Sequence, residues 1–265
     1  MSCVLIVFAV MVGAAMGSFA CCQAWRIRLR EKGKKDPGKR SVCMSCGKRL
    51  RWFENVPIVS WVLQRGKCRK CGAKIGRAEI LAELLGAVSF GLFAWRFVSL
   101  VPAEVVGVTE FLAEFDLAGL VAASAAMVGM MMLFVYDGKW GEMPVSILVY
   151  TIVVGVVFAV LDLVRGGDWL SLLGSVALLA GTYYLLYFFS KEKLVGGGDW
   201  MLCLAIGLLL VDWRLAFLEL FLANFLGVLV MLPKKRRKVA FGPFLIVAFV
   251  VIFTLQEQLL ATIYF

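Results

Sequence analysis

The chain of 265 residues contains no histidine, and charged residues make up only 17% of it. The absence of histidine excludes a Ser-His-Asp triad, a Ser-His dyad and an HExxH zinc site. Any hydrolytic chemistry must therefore use carboxylates, a lysine or a cysteine. The low charge accompanies a hydrophobic content of 62%, whereas soluble domains are about 45–50% apolar. This composition is typical of a membrane protein.

Long apolar runs divide the chain into candidate membrane spans, since a transmembrane helix needs about 20 mainly apolar residues. The predicted spans are 3–24, 79–98, 118–136, 144–162, 169–189, 200–212, 214–232 and 243–263. The first has no basic segment before it and no small-residue cleavage site after it, so we expect a retained helix rather than a signal peptide. The expected fold is an all-α polytopic membrane protein with about eight transmembrane helices. Seven spans remain if the break at Asp212-Trp213-Arg214 is ignored.

Basic residues are concentrated in a few of the predicted loops. Residues 26–77 hold 17 of the 28 lysines and arginines. If this segment is cytoplasmic, alternation of the spans places 25 of the 28 on that side, including those of 233–239. The positive-inside rule then predicts both termini on the opposite side. A basic loop beside membrane helices is also expected to contact anionic lipid, so we predict membrane lipid and not nucleic acid as its partner.

Four cysteines in the basic segment form two CxxC pairs, and a glycine follows each pair. Four sulfurs at this spacing suit tetrahedral zinc, as in zinc ribbons. The alternative is two disulfides, which a reducing cytoplasm disfavours. We therefore predict a small cytoplasmic zinc-ribbon-like loop domain. Its ion is structural, because four protein ligands leave no position open for a substrate. The predicted ligands are Cys43, Cys46, Cys68 and Cys71.

Two aspartates lie at the predicted cytoplasmic ends of spans, Asp137 before a glycine and Asp199 after Gly196 and Gly198. Peptide hydrolysis can use one carboxylate to activate water and a second, protonated carboxyl to polarise the carbonyl. The glycines leave room for an extended peptide beside the carboxylate. Each aspartate also has a simpler interpretation. Asp199 could cap a helix that starts at Trp200, and Asp137 could lie in a solvated Asp-Gly turn.

The order of these motifs resembles the type IV prepilin peptidases, which are bacterial leader peptidases of the GxGD aspartyl class. The resemblance extends over nearly the whole chain, and the ordered set of motifs is specific although each motif alone is weak. The chain departs from the family at Met201, where lysine is common. The matching segments are Gly17-Ser18-Phe19 with Arg26, Cys43-x-x-Cys46-Gly47, Asn55-Val56-Pro57 with Ser60-Trp61, Arg65-Gly66-Lys67-Cys68-x-x-Cys71-Gly72, Leu81-Ala82-Glu83-Leu84-Leu85, Asp137 with Pro144, Gly196-x-Gly198-Asp199 and Phe241-Gly242-Pro243-Phe244.

The resemblance implies that Asp137 and Asp199 are catalytic and that Gly196 and Gly198 belong to the active-site loop. It implies a prepilin or pseudopilin precursor as substrate, cut after glycine between a basic leader and a hydrophobic helix. The reaction would take place at the cytoplasmic face of the bacterial inner membrane. The resemblance also implies N-methylation of the new N-terminus with S-adenosylmethionine, an activity linked to the cysteine-bearing loop.

On this basis the chain divides into three parts. Residues 1–24 form the first transmembrane helix, 25–78 the cytoplasmic four-cysteine zinc-binding domain, and 79–265 the transmembrane aspartyl protease domain. Glu142 and Glu192 lie in inner loops, where they either attract a basic leader or are ordinary solvated charges.

Three other functions fit part of the sequence. A presenilin-like GxGD protease would explain the aspartates but not the cysteine loop. A non-enzymatic membrane scaffold or transporter with a zinc ribbon would explain the loop, but transporters usually place charges in mid-span. A methyltransferase whose peptidase function has lapsed is the third alternative.

Overall fold

The computed structural model describes residues 2–33, 40–102, 105, 107–192, 195–232 and 240–263. Within these ranges the secondary structure is helical, apart from two isolated β-bridges in the cysteine-bearing loop. A π-helical stretch, Ala177–Gly181, joins the helices Trp169–Val176 and Thr182–Ser190 into one continuous 22-residue helix. The helices are α1 (Ser2–Glu31), α2 (Val59–Leu63), α3 (Arg77–Ser99), α4 (Val108–Glu114), α5 (Leu117–Trp140), α6 (Val145–Val164), α7 (Trp169–Val176), α8 (Thr182–Ser190), α9 (Gly197–Leu210), α10 (Trp213–Met231), α11 (Gly242–Thr254) and α12 (Gln256–Ile263).

The predicted spans all correspond to apolar helical segments, as expected for a multi-pass membrane protein. In the described part of the chain, six helices are long and apolar enough to cross a membrane: α1, α3, α5, α6, the joined α7–α8, and α10. The helices α11 and α12 are bent by 71° at a short break and can count as a seventh span. The remaining segment, α9, has 14 residues, fewer than the roughly 20 that a full crossing needs. The prediction of about eight spans therefore includes one short helix and one bent pair.

Some helices extend beyond the predicted spans or were not predicted. The first helix was expected to end at residue 24, but α1 continues to Glu31 and includes three arginines of the predicted loop. Arginine is a good helix former and can extend its charge away from apolar surroundings. A short helix, α4, was not predicted. The basic loop 233–239, used in the topology prediction, lies outside the described residues.

The helix α1 packs against α3 through a face of small residues. A Cβ atom on Gly17 would lie 2.7 Å from the backbone Cα of Glu83 in α3, so only glycine allows this approach. The opposite face of α1 carries large exposed apolar side chains, including Val7 and Phe8. Small residues inside and large apolar residues outside are typical of helices that associate within lipid, where close backbone packing replaces the hydrophobic effect.

The helix α5 lies at the centre of the bundle. In its most apolar stretch 56% of the residues are buried, a larger share than in the other candidate spans. It contacts α1, α3, α6 and α11. The last turn of α5 carries Asp137, so the central helix of the bundle positions this carboxylate.

Candidate active site and cysteine cluster

Asp137 belongs to the last turn of α5, which corrects the alternative that it lies in a solvated turn. The helix continues through Gly138 and ends at Trp140, and it is capped by Gly141, whose positive φ of 67° suits a helix C-terminus. The Gly141 amide donates to the Asp137 carbonyl oxygen over 2.8 Å. The Asp137 side chain is buried, and its Oδ2 accepts a hydrogen bond of 2.9 Å from the amide of Gly242 at the start of α11. The carboxylate therefore connects the end of α5 to the beginning of α11.

Asp199 lies inside the first turn of α9, which begins at Gly197 and not at Trp200. Asp199 therefore does not precede this helix, but its carboxylate still caps it, from the third helical position. Its side chain reaches back to the residue before the helix, and Oδ2 accepts a hydrogen bond of 3.0 Å from the Gly196 amide. The side chain is buried. A carboxylate in the first turn of a helix is also favoured by the helix dipole.

The structure brings the two aspartates together, and their buried carboxylates are close enough for their charges to interact. Met143, in the connection between α5 and α6, packs between the starts of α9 and α11. A Cβ atom on Gly198 would lie 2.7 Å from Met143 Cβ, and one on Gly242 would lie 2.9 Å from Asp137 Oδ2. Glycine at both positions therefore allows the three helix ends to converge. We refer to Asp137 and Asp199 as the aspartate pair.

The predicted active-site glycines have different roles in this geometry. Gly198 is required by packing, whereas Gly196 contributes its amide, and a Cβ there would make an ordinary contact of 3.4 Å with Asp199 Oδ2. Sequence reasoning did not assign Gly242 or Met143 to the site. Gly242 could have been noticed from the Phe-Gly-Pro-Phe segment that opens the last span, but no chemical signal marks Met143.

A cluster of charged and aromatic side chains joins α1 to the connection after the aspartate-bearing end of α5. The Arg28 guanidinium donates to the Glu142 carboxylate and lies 5.5 Å from the centre of the Trp140 ring. The hydroxyl of Tyr136, next to Asp137, donates to Glu31. Glu142 is thus held by an internal ion pair, and Glu192 accepts a hydrogen bond of 2.9 Å from the Tyr187 hydroxyl. Both side chains therefore have partners within the protein.

The four cysteines lie at the same end of the bundle, in residues 40–76, which we call the cysteine segment. Each CxxC pair forms a small turn closed by backbone hydrogen bonds. The Gly47 amide donates to the Cys43 carbonyl over 2.8 Å, and the Gly72 amide donates to the Cys68 carbonyl over 2.9 Å. Both glycines have positive φ, 67° and 69°. The two halves of the segment thus repeat one local structure.

The cysteine sulfurs fit a tetrahedral metal ion. All four Sγ atoms lie within 4.8 Å of one another, and Cys43 Sγ is 3.9 Å from Cys71 Sγ. Zinc–sulfur bonds of about 2.3 Å in a tetrahedron would separate the sulfurs by about 3.8 Å. Hydrogen bonds from the backbone amides of Cys71 and Lys70 lower the pKa of Cys68 to about 6, whereas burial and the neighbouring sulfurs raise the pKa of Cys71 to about 11. A metal ion would need all four as thiolates. The four predicted ligands are therefore close enough to hold a metal ion.

The fold and these two sites define the chain as a polytopic helical membrane protein with paired buried aspartates beside a four-cysteine cluster. Residues 11–97 match the family model of the bacterial peptidase A24 N-terminal domain. This range contains all four cysteines and neither aspartate.

Curated relatives are similar to part of this chain. A prepilin leader peptidase/N-methyltransferase of Myxococcus xanthus is 36% identical over 104 residues, which cover 38% of this chain and 30% of the relative. The protein of that name from Neisseria gonorrhoeae is 47% identical over 57 residues, covering 22% of this chain and 20% of the relative. The protein of that name from Vibrio cholerae is 34% identical over 85 residues, which cover 30% of this chain and 33% of the relative.

The chain thus spans about a third or less of the length of these curated relatives. No solved structure matches it. The family model and the relatives together confirm the predicted resemblance to type IV prepilin peptidases.

Proposed function

We propose that this chain is a membrane-embedded aspartyl endopeptidase that removes the basic leader from type IV prepilins or pseudopilins. The cut follows a glycine at the cytoplasmic face of the bacterial inner membrane. The observation that carries the proposal is the convergence of two buried aspartates, from α5 and α9, at the end of the bundle that carries the cysteine segment. The names of the relatives support the substrate class.

The aspartate pair supplies both forms of carboxyl group that the reaction needs. One ionised carboxylate takes a proton from a water molecule, whose oxygen attacks the carbonyl carbon of the scissile bond. The protonated carboxyl polarises the carbonyl oxygen and then provides a proton to the leaving amine as the C–N bond breaks. Two carboxyls held close together favour one shared proton, as in other aspartic proteases. The Gly242 and Gly196 amides hold the two carboxylates in place.

The position of the pair at helix ends suits a substrate that crosses the membrane. The hydrophobic helix of the precursor would lie among the spans, and its basic leader would remain beside the cysteine segment in the cytoplasm. The scissile bond would then be at the membrane boundary, at the level of the pair. We retain the division into a first span (1–24), a zinc-binding domain (25–78) and a protease domain (79–265) as part of this proposal.

The cysteine segment would hold a structural zinc ion through Cys43, Cys46, Cys68 and Cys71. Bound zinc would stabilise the fold of a small segment with little apolar core. The relatives are also named N-methyltransferases, so we include N-methylation of the new N-terminus, with S-adenosylmethionine as the methyl source, in the proposed function. The peptidase step itself requires only the aspartate pair and water.

Co-expression with a candidate prepilin, followed by intact-mass analysis of the product, tests this function. We expect the wild-type chain to remove the leader, and Asp137→Asn and Asp199→Asn each to abolish cleavage while the protein still inserts into the membrane. Asp168→Asn is a matched control, because Asp168 caps α7 at the opposite end of the bundle and asparagine is an equally good cap. Cleavage at the wild-type rate by either active-site variant would contradict the proposal. Cleavage of other membrane proteins but not prepilins would favour a presenilin-like protease.

A further inference from the structure

The side chain of Met143 packs against glycines that adjoin both members of the aspartate pair. A Cβ atom on Gly198, the residue before Asp199, would lie 3.0 Å from Met143 Sδ and 3.1 Å from its Cγ. A Cβ atom on Gly242 would contact the methyl carbon of Met143 and lie 2.9 Å from Asp137 Oδ2. The thioether side chain therefore extends from the start of α9 to the side of the Asp137 carboxylate.

The backbone of Met143 is restrained on both sides. On one side, the Glu142 carboxylate is paired with Arg28 of α1. On the other side, Pro144 precedes α6 and disfavours the helical region for the residue before it. The methionine side chain itself is unbranched and adaptable, so it can fill the irregular space between the two glycines. Because Met143 is only partly buried, a bound peptide can reach it.

In the proposed reaction, the scissile carbonyl comes within roughly 3 Å of the reacting groups at the aspartate pair. The last residue of the leader provides this carbonyl. A side chain on that residue would begin at a Cβ atom only about 2.5 Å, or two covalent bonds, from the carbonyl carbon. The leader lies on the cytoplasmic side of the scissile bond, and Met143 follows the end of α5 that faces the same side. The last leader residue and Met143 are therefore neighbours.

We propose that Met143 determines the specificity of cleavage, because its side chain fills the space that a side chain on the last leader residue would need. The inference rests on the proposed function, in which the cut follows a glycine. Glycine has no Cβ atom, so its carbonyl can approach the aspartate pair without displacing the methionine. Alanine would bring a methyl group into a site that is already packed at contact distance. Met143 acts by excluding larger residues and takes no part in proton transfer.

Two prepilins that differ only in the last leader residue, glycine or alanine, test this role with the purified full-length protein in detergent. The measured quantity is kcat/KM for the alanine prepilin divided by kcat/KM for the glycine prepilin. We expect the wild type to discriminate against alanine on the order of 100-fold. Met143→Ala should raise the ratio about tenfold or more, because it leaves room for the additional methyl group. Met143→Leu keeps nearly the same volume and should keep the low ratio.

Met201→Ala is the matched control for truncation of a methionine near the aspartate pair. Met201 is also partly buried, and it follows Asp199 by two positions on α9. Residues two positions apart on a helix do not share a face, so Met201 does not lie beside the Asp199 carboxylate. We expect this substitution to leave the ratio at the wild-type value even if it lowers both rates.

The ratio separates substrate selection from structural support, because a loosened aspartate pair would slow both prepilins equally. An unchanged ratio in Met143→Ala overturns the inference alone, and so does a wild type that cleaves both prepilins equally well. If Met143→Ala cleaves neither, Met143→Val is the second test, since valine still packs beside Gly198 but lacks the terminal methyl group. An unraised ratio or loss of both activities in that variant also overturns the inference. A wild type that cleaves neither prepilin contradicts the proposed peptidase itself.

Discussion

The cysteine cluster and the aspartate pair lie at the same end of the bundle but are built in different ways. The four cysteines belong to two short turns, each closed by its own backbone hydrogen bonds. The aspartates come from α5 and α9, and a third helix, α11, provides the amide that holds Asp137. The cluster therefore depends on local geometry, whereas the pair depends on how three helix ends pack. A change that disturbs one site should leave the other largely intact.

Gly198→Ala is expected to produce the largest difference between its effect on the aspartate pair and its effect on the cysteine cluster. The new methyl group would lie 2.7 Å from Met143 Cβ, an atom fixed to the backbone, so the start of α9 must move. A displacement of about 1 Å at reacting groups can lower the rate on the order of 100-fold. We expect kcat/KM for prepilin cleavage to fall by that amount while the zinc content of the purified protein stays the same.

Gly138→Ala is the control for this substitution, because no atom lies within 4 Å of a Cβ at that helical position. Alanine there should leave the rate unchanged and favour the helix slightly. Equal rates for Gly198→Ala and Gly138→Ala would show that close packing at Gly198 does not position the pair.

Disruption of the cysteine cluster should have a smaller effect on cleavage. Cys68→Ser, or removal of metal by a chelator, should lower the zinc content and make residues 40–76 more sensitive to protease, because metal binding stabilises this small segment. Cleavage should continue at a reduced rate, since the aspartate pair is held by α9 and α11. Cys3→Ser is the control, because Cys3 is exposed and lies at the start of α1. Complete loss of cleavage in the metal-free protein would instead indicate that the two sites are interdependent.

Arg28→Lys should have the smallest effect. Arg28 donates through both terminal nitrogens to Glu142, and its guanidinium lies over the Tyr136 and Trp140 rings. Lysine keeps the charge but loses the planar two-point contact. Because Glu142 is largely exposed, we expect the cleavage rate to fall by a factor of about two to five. Arg49→Lys, at an exposed position of the cysteine segment, should change nothing measurable in the same assay.

The two sites also differ in how far sequence reasoning could describe them. The spacing of Cys43, Cys46, Cys68 and Cys71 predicted a metal cluster, and the structure places these sulfurs within reach of one ion. Spacing is informative here because each CxxC turn forms from neighbouring residues. The aspartates were identified by resemblance and topology, but each had a simpler local interpretation. The interpretation of Asp137 as part of a solvated turn was wrong, because α5 continues past it to Trp140. Asp199 does cap its helix, but from the third helical position, because α9 begins at Gly197.

Composition and the length of the apolar runs were sufficient to predict a helical membrane protein, because lipid admits only segments that satisfy their own backbone hydrogen bonds. The distribution of charge indicated the basic cysteine segment, and spacing indicated its four candidate metal ligands, because those features are local in the chain. The predicted span 200–212 was already short, and the tertiary structure set the bounds of its helix at Gly197–Leu210. It also decided that Gly242 and Met143 complete the aspartate site, and that a cavity lies between the cysteine segment and the ends of α1, α3 and α5. These features arise where distant segments meet, and no pattern within one segment encodes which residues will be neighbours.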